Sequence, residues 1–301
     1  MNQTIAHACE PVCPICGSKK SWTIPFLDHE SGAVVRRDEG YHWRLCRNCG
    51  NGFPSTEPSL AELQAYWNQN RIDEAEAPVT DEVWRGRQAV SRLWAQRSYD
   101  FVMPFVRSDS RRFLDVACGL GETVALFQKQ GWQAEGVDAD PNAKVFHERL
   151  GICTTIGQME SVGTTSRFDL ISIAHAIYFI TEPRRFVQRV RDMLDDGGLF
   201  LVVLSDLLST LNNGYPGYVH TWYPTTSSLA YLLEQEGFEI LGCRRIKGST
   251  MVVARKGAAE SPRAHPYRAY WAHLSHAWRY RLIGKPLLAG AALLKRLRKR
   301  A

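Results

Sequence analysis

After Glu260 the 301-residue chain contains no acidic residue. The stretch 261–301 holds ten of the 37 Lys and Arg, and what precedes it has 27 basic against 31 acidic residues. The net charge of +6 therefore belongs to a tail, which argues against a globally basic nucleic-acid binder. No run approaches the roughly 20 apolar residues of a spanning helix, which excludes a membrane-spanning reading. No basic start is followed by an apolar stretch, so no secretory signal is expected and a cytoplasmic, reducing compartment is. A disulfide framework is missing too. Of eight cysteines, Cys9, Cys118, Cys153 and Cys243 are scattered and the other four form two C-x-x-C pairs.

Those pairs are the first positive signal. Cys13 and Cys16 lie in CPICG, and Cys46 and Cys49 in CRNCG. A glycine after each pair lets backbone N–H groups turn toward the sulfurs. Four thiolates at this spacing suit a structural, tetrahedral zinc and leave no open position for catalysis. Two or three short strands between them would make a zinc ribbon, too small to fold without its metal. Redox or free thiols are the alternative. Beyond it, Ser59 and Glu62 form a capping box for a helix over 60–68. A polar linker follows, and Asp81 caps a long helix over 82–103. Val83, Val90, Leu93, Trp94, Arg97 and Phe101 share one face of that helix, which is expected to cover the entrance to the next domain.

From residue 112 short apolar runs alternate with amphipathic segments. Strands are expected at 112–117, 133–138, 152–156, 168–174, 199–204, 239–245 and 250–255. Helices are expected at 121–130, 141–149, 183–194 and 225–236. The alternation predicts an α/β, doubly wound, mostly parallel seven-stranded sheet, closed by a hairpin through IKGS with one antiparallel strand at the end. Ligands of such sheets sit at the carboxyl ends of the strands, near the topological switch. FLDVACGLGETVALF (113–127) lies there, with Gly119 and Gly121 opening the turn and Asp115 in the strand before it. Asp138 ends the next strand, 19 residues beyond Gly119, where an acid takes ribose hydroxyls. The dinucleotide fingerprint fails, because Val124 stands where its third glycine belongs. A cofactor bearing both an ammonium and a ribose has a use for both acids, which points to S-adenosylmethionine.

The segments FLDVACGLGETVALF, EGVDADP, GQMESV, FDLISIAHAIYFITEP and MLDDGGLFLVVL occur in that order. Together they resemble the successive motifs of class I S-adenosylmethionine-dependent methyltransferases. That resemblance implies a Rossmann-like methyltransferase fold. It implies that Asp115 and Gly119 contact the methionine end, Asp138 the ribose, and Met159 and Glu160 the adenine. Ala174 and His175 would line the methyl-donor pocket. Ala117, Gly121 and Ala139 complete the cofactor-binding set. Ala117 departs from the glycine that many members carry.

The family's motif for methylating base amino groups, Asp or Asn before Pro-Pro-Tyr, is absent; AHAIYF stands in its place. A hydroxyl acceptor needs its proton removed, which a histidine near pH 7 can do. His175 is the first candidate base, Tyr178 could assist or pack, and His220 could contact substrate or anchor its loop. YHWRLCRNCGNGF, PSLAELQAYW and the segment around His220 resemble a family joining a zinc ribbon to a methyltransferase domain in bacterial glycan gene clusters. There Tyr215, Tyr218, Trp222 and Tyr223 would offer flat faces to a sugar ring.

The resulting division is a zinc ribbon over 1–56, a helical linker or lid over 57–108, an S-adenosylmethionine-binding domain over 109–257 and a basic amphipathic helical tail over 258–301. In the tail Leu287, Ala291, Leu294 and Leu297 fall together at helical spacing. That fits an interfacial helix on an anionic membrane surface, a helix packed on the domain or in an oligomer contact, or a nucleic-acid arm. The expected activity is O-methylation of a small, saccharide or lipid-linked glycan acceptor. An RNA methyltransferase gripping RNA by its ribbon, and a binding protein without turnover, are the alternatives.

Overall fold

The computed structural model describes residues 11–23, 43–56, 59, 81–107, 111–163, 166–207, 220–246, 248–257, 265–267, 270, 271 and 275. The helix expected over 60–68, its following linker and the leucine stripe of the tail lie outside these residues.

The central sheet is built from parallel strands β4 (Arg112–Val116), β5 (Gln133–Asp138), β6 (Cys153–Ile156), β7 (Phe168–Ala174) and β8 (Leu194–Ser205), with β9 (Phe238–Ile246) and β10 (Ser249–Lys256) beyond them. Its seven strands run in the order β6-β5-β4-β7-β8-β10-β9. The chain order reverses between β4 and β7, so a crevice opens at their carboxyl ends. β10 is antiparallel to both β8 and β9. The one reversed strand is thus last in sequence but lies one in from the edge. Helices α2 (Glu122–Lys129), α3 (Lys144–Leu150), α4 (Pro183–Met193) and α5 (Thr226–Gln235) fill the connections, close to the expected positions. β4, β7 and the 198–204 part of β8 are buried nearly throughout, which is why they read as continuous apolar runs.

α1 (Asp81–Val102) begins at Asp81 itself. It differs from expectation in the face it buries. Val90 and Leu93 are 58% and 48% exposed, whereas Ala95, Ser98 and Val102 are buried. Small side chains allow α1 to lie close to the domain, so size rather than hydrophobicity selects its inner face. Tyr99 meets Phe127 of α2 edge-on, with ring centroids 5.1 Å apart.

The cysteine module forms an antiparallel sheet of β1 (Ser21–Thr23), β2 (Trp43–Cys46) and β3 (Gly52–Pro54). The third strand follows the second cysteine pair instead of lying between the pairs. Among the described residues the module has no separate core. Trp43, Leu45 and Phe53 belong to the same buried cluster as Trp222, Tyr223 and Leu229 of the larger domain. Gly52 and Tyr223 exchange two backbone hydrogen bonds, of 3.0 and 2.8 Å. A Cβ at Gly52 would stand 2.9 Å from the Tyr223 carbonyl oxygen and 2.7 Å from a Leu207 methyl, so the close approach requires glycine. The Arg184 guanidinium donates to the Ile15 carbonyl at 3.2 Å.

Candidate active site

The turn after β4 is the centre of the site. Ala117 has φ +55° and Gly121 φ +81°. For alanine the left-handed region is strained, which explains why glycine is favoured at this position; strain of this kind collects at functional sites. At Gly121 the left-handed φ strains any side chain, and a Cβ would also displace Ile152, whose Cδ1 lies 2.2 Å away. α2 begins immediately after, at Glu122, and α1 reaches across to that start. Gln88 Nε2 donates to Glu122 Oε1 at 2.6 Å, and Arg92 Nε to Oε2 at 3.0 Å. This places α1 beside the start of α2, at the edge of the glycine turn.

Asp115 is buried beneath the turn and accepts a hydrogen bond of 2.5 Å from Ser172 Oγ, its cross-strand partner on β7. Burial, above all, pushes its carboxyl up to about 7, and the nearby Asp138 carboxylate adds to the shift. Ser172 had no signal in the sequence beyond lying in a strand. Asp138 accepts from the backbone N–H of Gly119 at 2.7 Å and of Asp140 at 2.8 Å. Burial raises its pKa as well, while those two amides oppose the rise. A carboxylate has about four acceptor positions. Asp138 thus locks the glycine turn and still keeps lone pairs for hydroxyl groups. Ala117 and Ala139 are exposed at the rim. Met159 is buried in a short turn after β6, held from behind by Arg189, which donates to the Val162 carbonyl at 3.0 Å. The side chain of Glu160 lies outside the description.

At the tip of β7, His175 follows Ala174 in a left-handed conformation with φ +55°. Its amide donates to the Val203 carbonyl at 2.7 Å. Burial lowers its pKa from the ordinary imidazole value, so the ring is neutral near pH 7. The indole of Trp94 from α1 meets it edge-on, with centroids 5.1 Å apart, and the Arg97 guanidinium lies 5.1 Å from the Trp94 ring centroid. The sequence put Trp94 on an apolar face without marking it as part of a site.

His220, Tyr178 and Tyr223 come together in a second cluster on the turn following His175. The rings of Tyr178 and Tyr223 stack at 4.8 Å, and His220 packs within 5.1 Å of both and at 4.8 Å from Phe179. Thr221 stitches this segment to the β7 turn through its Oγ1, which donates to the Ile180 carbonyl at 2.9 Å. Burial drives the Tyr178 pKa upward, so the phenol stays protonated and can donate but not act as a base near neutrality. Trp222 and Tyr223 are 0% and 3% exposed. They are core against the ribbon, not the open sugar-facing surfaces that the sequence suggested. Tyr215 and Tyr218 lie outside the described residues.

The four module cysteines converge. Cys13 and Cys49 sulfurs are 3.6 Å apart, Cys16 and Cys46 are 3.5 Å apart, and all four Sγ atoms lie within 4.8 Å of one another. Four sulfurs about 2.3 Å from one tetrahedral ion would be roughly 3.8 Å apart, so the set fits such an ion. The amides of Gly17 and Gly50 close the two turns onto the carbonyls of Cys13 and Cys46. The Asn48 amide points at the Cys46 sulfur at 3.3 Å, as a donor would that offsets thiolate charge.

A family model described as a methyltransferase domain matches residues 84–242. Ubiquinone biosynthesis O-methyltransferase of Bradyrhizobium is 30% identical over 131 residues, 38% of this chain and 48% of that protein. An uncharacterized protein of Mycobacterium tuberculosis is 28% identical over 150 residues, 47% of this chain and 51% of that one. The chain thus spans about half the length of these two curated relatives. Among solved structures, magnesium protoporphyrin IX methyltransferase of Synechocystis aligns over 66% of this chain and 100% of that one, at 13% identity and a TM-score of 0.49.

Proposed function

The chain belongs to the S-adenosylmethionine-dependent methyltransferases, and from that premise we propose that it methylates a hydroxyl of a saccharide or lipid-linked glycan. The observation that carries the O-methyl reading is His175, a half-buried, neutral imidazole at the tip of β7, one strand from the Asp115 carboxyl. The donor supplies an electrophilic methyl group on a sulfonium. Asp115 and Gly119 hold its methionine end, Asp138 its ribose, and Met159 and Glu160 flank its adenine. His175 removes the acceptor's hydroxyl proton as the oxygen bonds to the methyl carbon and the sulfonium bond breaks, leaving S-adenosylhomocysteine. Geometry supplies most of the catalysis, since displacement at carbon needs donor and acceptor in line. His220 orients the acceptor, and Tyr178 supports it from within the stack. Zinc in the four-cysteine cluster is structural. The saccharide class is supported by the resemblance around the ribbon and by the partly exposed rings of Trp94, Phe179 and His220.

Transfer of labelled methyl from S-adenosylmethionine across nucleotide sugars, lipid-linked glycans and RNA tests this reading. Label is expected in a saccharide. His175→Ala should lower kcat by about 10²–10⁴-fold with S-adenosylhomocysteine binding intact, the range for a lost general base. His220→Ala should act mainly on the acceptor's KM. Label in RNA alone would replace the proposal.

The tail places the enzyme on an anionic membrane surface. Among the described residues no helix is long and apolar enough to cross a membrane. Tyr267 and Trp271 are 63% and 66% exposed, while Tyr270 stacks on Trp22 of the ribbon at 4.3 Å. Aromatics beside a cationic end suit an interfacial site. Full-length protein should float with anionic liposomes at low salt and a chain ending at Glu260 should not. Equal flotation of the two would end this part of the proposal.

A further inference from the structure

A histidine that the proposed chemistry does not use lies directly beneath the glycine turn. His147 is 1% exposed and sits on α3, which carries no other part of the site. Its Nε2 is 2.7 Å from the Gly119 carbonyl oxygen, and its Nδ1 is 2.9 Å from Thr154 Oγ1 on β6. A carbonyl can only accept, so Nε2 carries the proton and Nδ1 takes the Thr154 hydroxyl. The tautomer is thereby assigned by the partners.

The consequence lies in which peptide planes are held. The Gly119 N–H belongs to the plane before Gly119 and is bound by Asp138 at 2.7 Å. The Gly119 carbonyl belongs to the plane after it and is bound by His147. Both torsions of a residue with φ +53° are therefore set from two sides. Glycine has the most conformational freedom to lose, so a turn left unheld would spread over many shapes. The ring also fills the space beside Gly121, where an added Cβ would stand 3.1 Å from His147 Cδ2. Cys118 Sγ, 3.8 Å from Nε2, closes the remaining side.

We propose that the Thr154–His147 pair is a positioning device that holds the Gly119 turn in its donor-binding shape before the donor arrives. The inference rests on the reading that this turn holds S-adenosylmethionine. Preorganisation of this kind raises affinity by removing an ordering cost at the moment of binding. Space-filling alone would be met by an apolar ring, whereas a buried imidazole is costly unless its nitrogens are paired, as both are here.

Two substitutions separate bond from bulk. His147→Phe keeps the volume and loses both bonds; His147→Gln keeps a donor at nearly the reach of Nε2. Calorimetry with S-adenosylhomocysteine should show His147→Phe weakening binding by about 10- to 100-fold, the range for a buried acceptor left unpaired. His147→Gln should recover to within about threefold of the parent, and Thr154→Val should fall between. Amide exchange in the ligand-free protein supplies the second readout. Exchange at Gly119 and Gly121 should quicken in His147→Phe while strands β4 and β7 stay protected. Unchanged exchange at the turn overturns the proposal. So does equal loss of affinity in the Phe and Gln variants, matched by equal loss of thermal stability. If the parent protein binds no S-adenosylhomocysteine while exchange still quickens, the donor reading fails and the brace of the turn stands.

Discussion

With zinc in the four-cysteine cluster, as proposed, stripping that metal or replacing Cys49 with serine is expected to lower the melting temperature of the whole protein, not of the ribbon alone. A structural zinc contributes on the order of 10 kcal/mol to a small cysteine module, comparable to the stability of an entire domain. Here that module shares its buried cluster with the larger domain, through Trp43 and Phe53 against Trp222 and Tyr223. The Gly52–Tyr223 pairing adds two backbone bonds across the same contact. Loss of the ribbon would bare those aromatics and loosen the stack that carries His220 and Tyr178. The expected result is one metal per chain released, a fall in melting temperature on the order of 10 °C or more, and altered near-ultraviolet dichroism from the tryptophans. Binding of S-adenosylhomocysteine, measured well below the new transition, should persist, because Asp115, Asp138 and the glycine turn pack in the other half of the sheet. A melting temperature within ~2 °C of the parent after complete metal removal would show that the ribbon is an appendage after all.

The second large effect concerns Asp115. Its carboxyl is pushed up to about 7, first by burial and then by Asp138, with hydrogen bonds from Ser172 and Thr123 working the other way. In the ligand-free protein the folded value lies above the ordinary 3.8, so the folded state holds this proton more tightly than the unfolded chain. Its contribution to stability is complete below about pH 4 and is lost as the pH rises through about 7. A cationic donor reverses the preference, since it favours the carboxylate. Binding should therefore release a proton below pH 7, and affinity for S-adenosylmethionine should climb between pH 5.5 and 7.5 by at most about tenfold per unit, then level. Calorimetry in buffers of different ionisation enthalpy reads that proton directly. Asp115→Asn should flatten the profile and weaken binding by about 30-fold or more, the range for a buried charge deprived of its partner. Ser172→Ala should move the rise to higher pH, because it removes a bond that favours the ionised form. An Asn variant that binds within about threefold of the parent, with the same pH profile, would take Asp115 out of the donor site.

Much of the site could be read before any fold was known, and the reason is locality. Asp115, Gly119, Gly121 and Asp138 sit at strand ends whose apolar patterns are continuous, so their shared edge follows from strand–helix alternation. Cys13, Cys16, Cys46 and Cys49 announce themselves by spacing. The residues that escaped are those whose role depends on a distant neighbour. His147 lies in a short helix with Lys144, Glu148 and Arg149 and looks like one more polar surface residue. Ser172 is a small residue in a buried strand until it is seen opposite Asp115. Trp222 and Tyr223 looked like an open aromatic platform, because nothing in the local sequence says that β3 will add to them.

Composition, cysteine spacing and the period of the apolar residues were enough to determine a zinc-ribbon-like module, a doubly wound sheet and the acids at its switch point. Each of these arises from neighbours along the chain or from an alternation that one strand repeats. Only the tertiary structure decided that α1 turns Ala95 and Ser98 inward, that the ribbon's core is the domain's core, and that the glycine turn is held by a histidine from α3. Those outcomes depend on which surfaces are close enough to exclude water and to satisfy buried polar atoms. That is a property of the packed molecule and of no single segment.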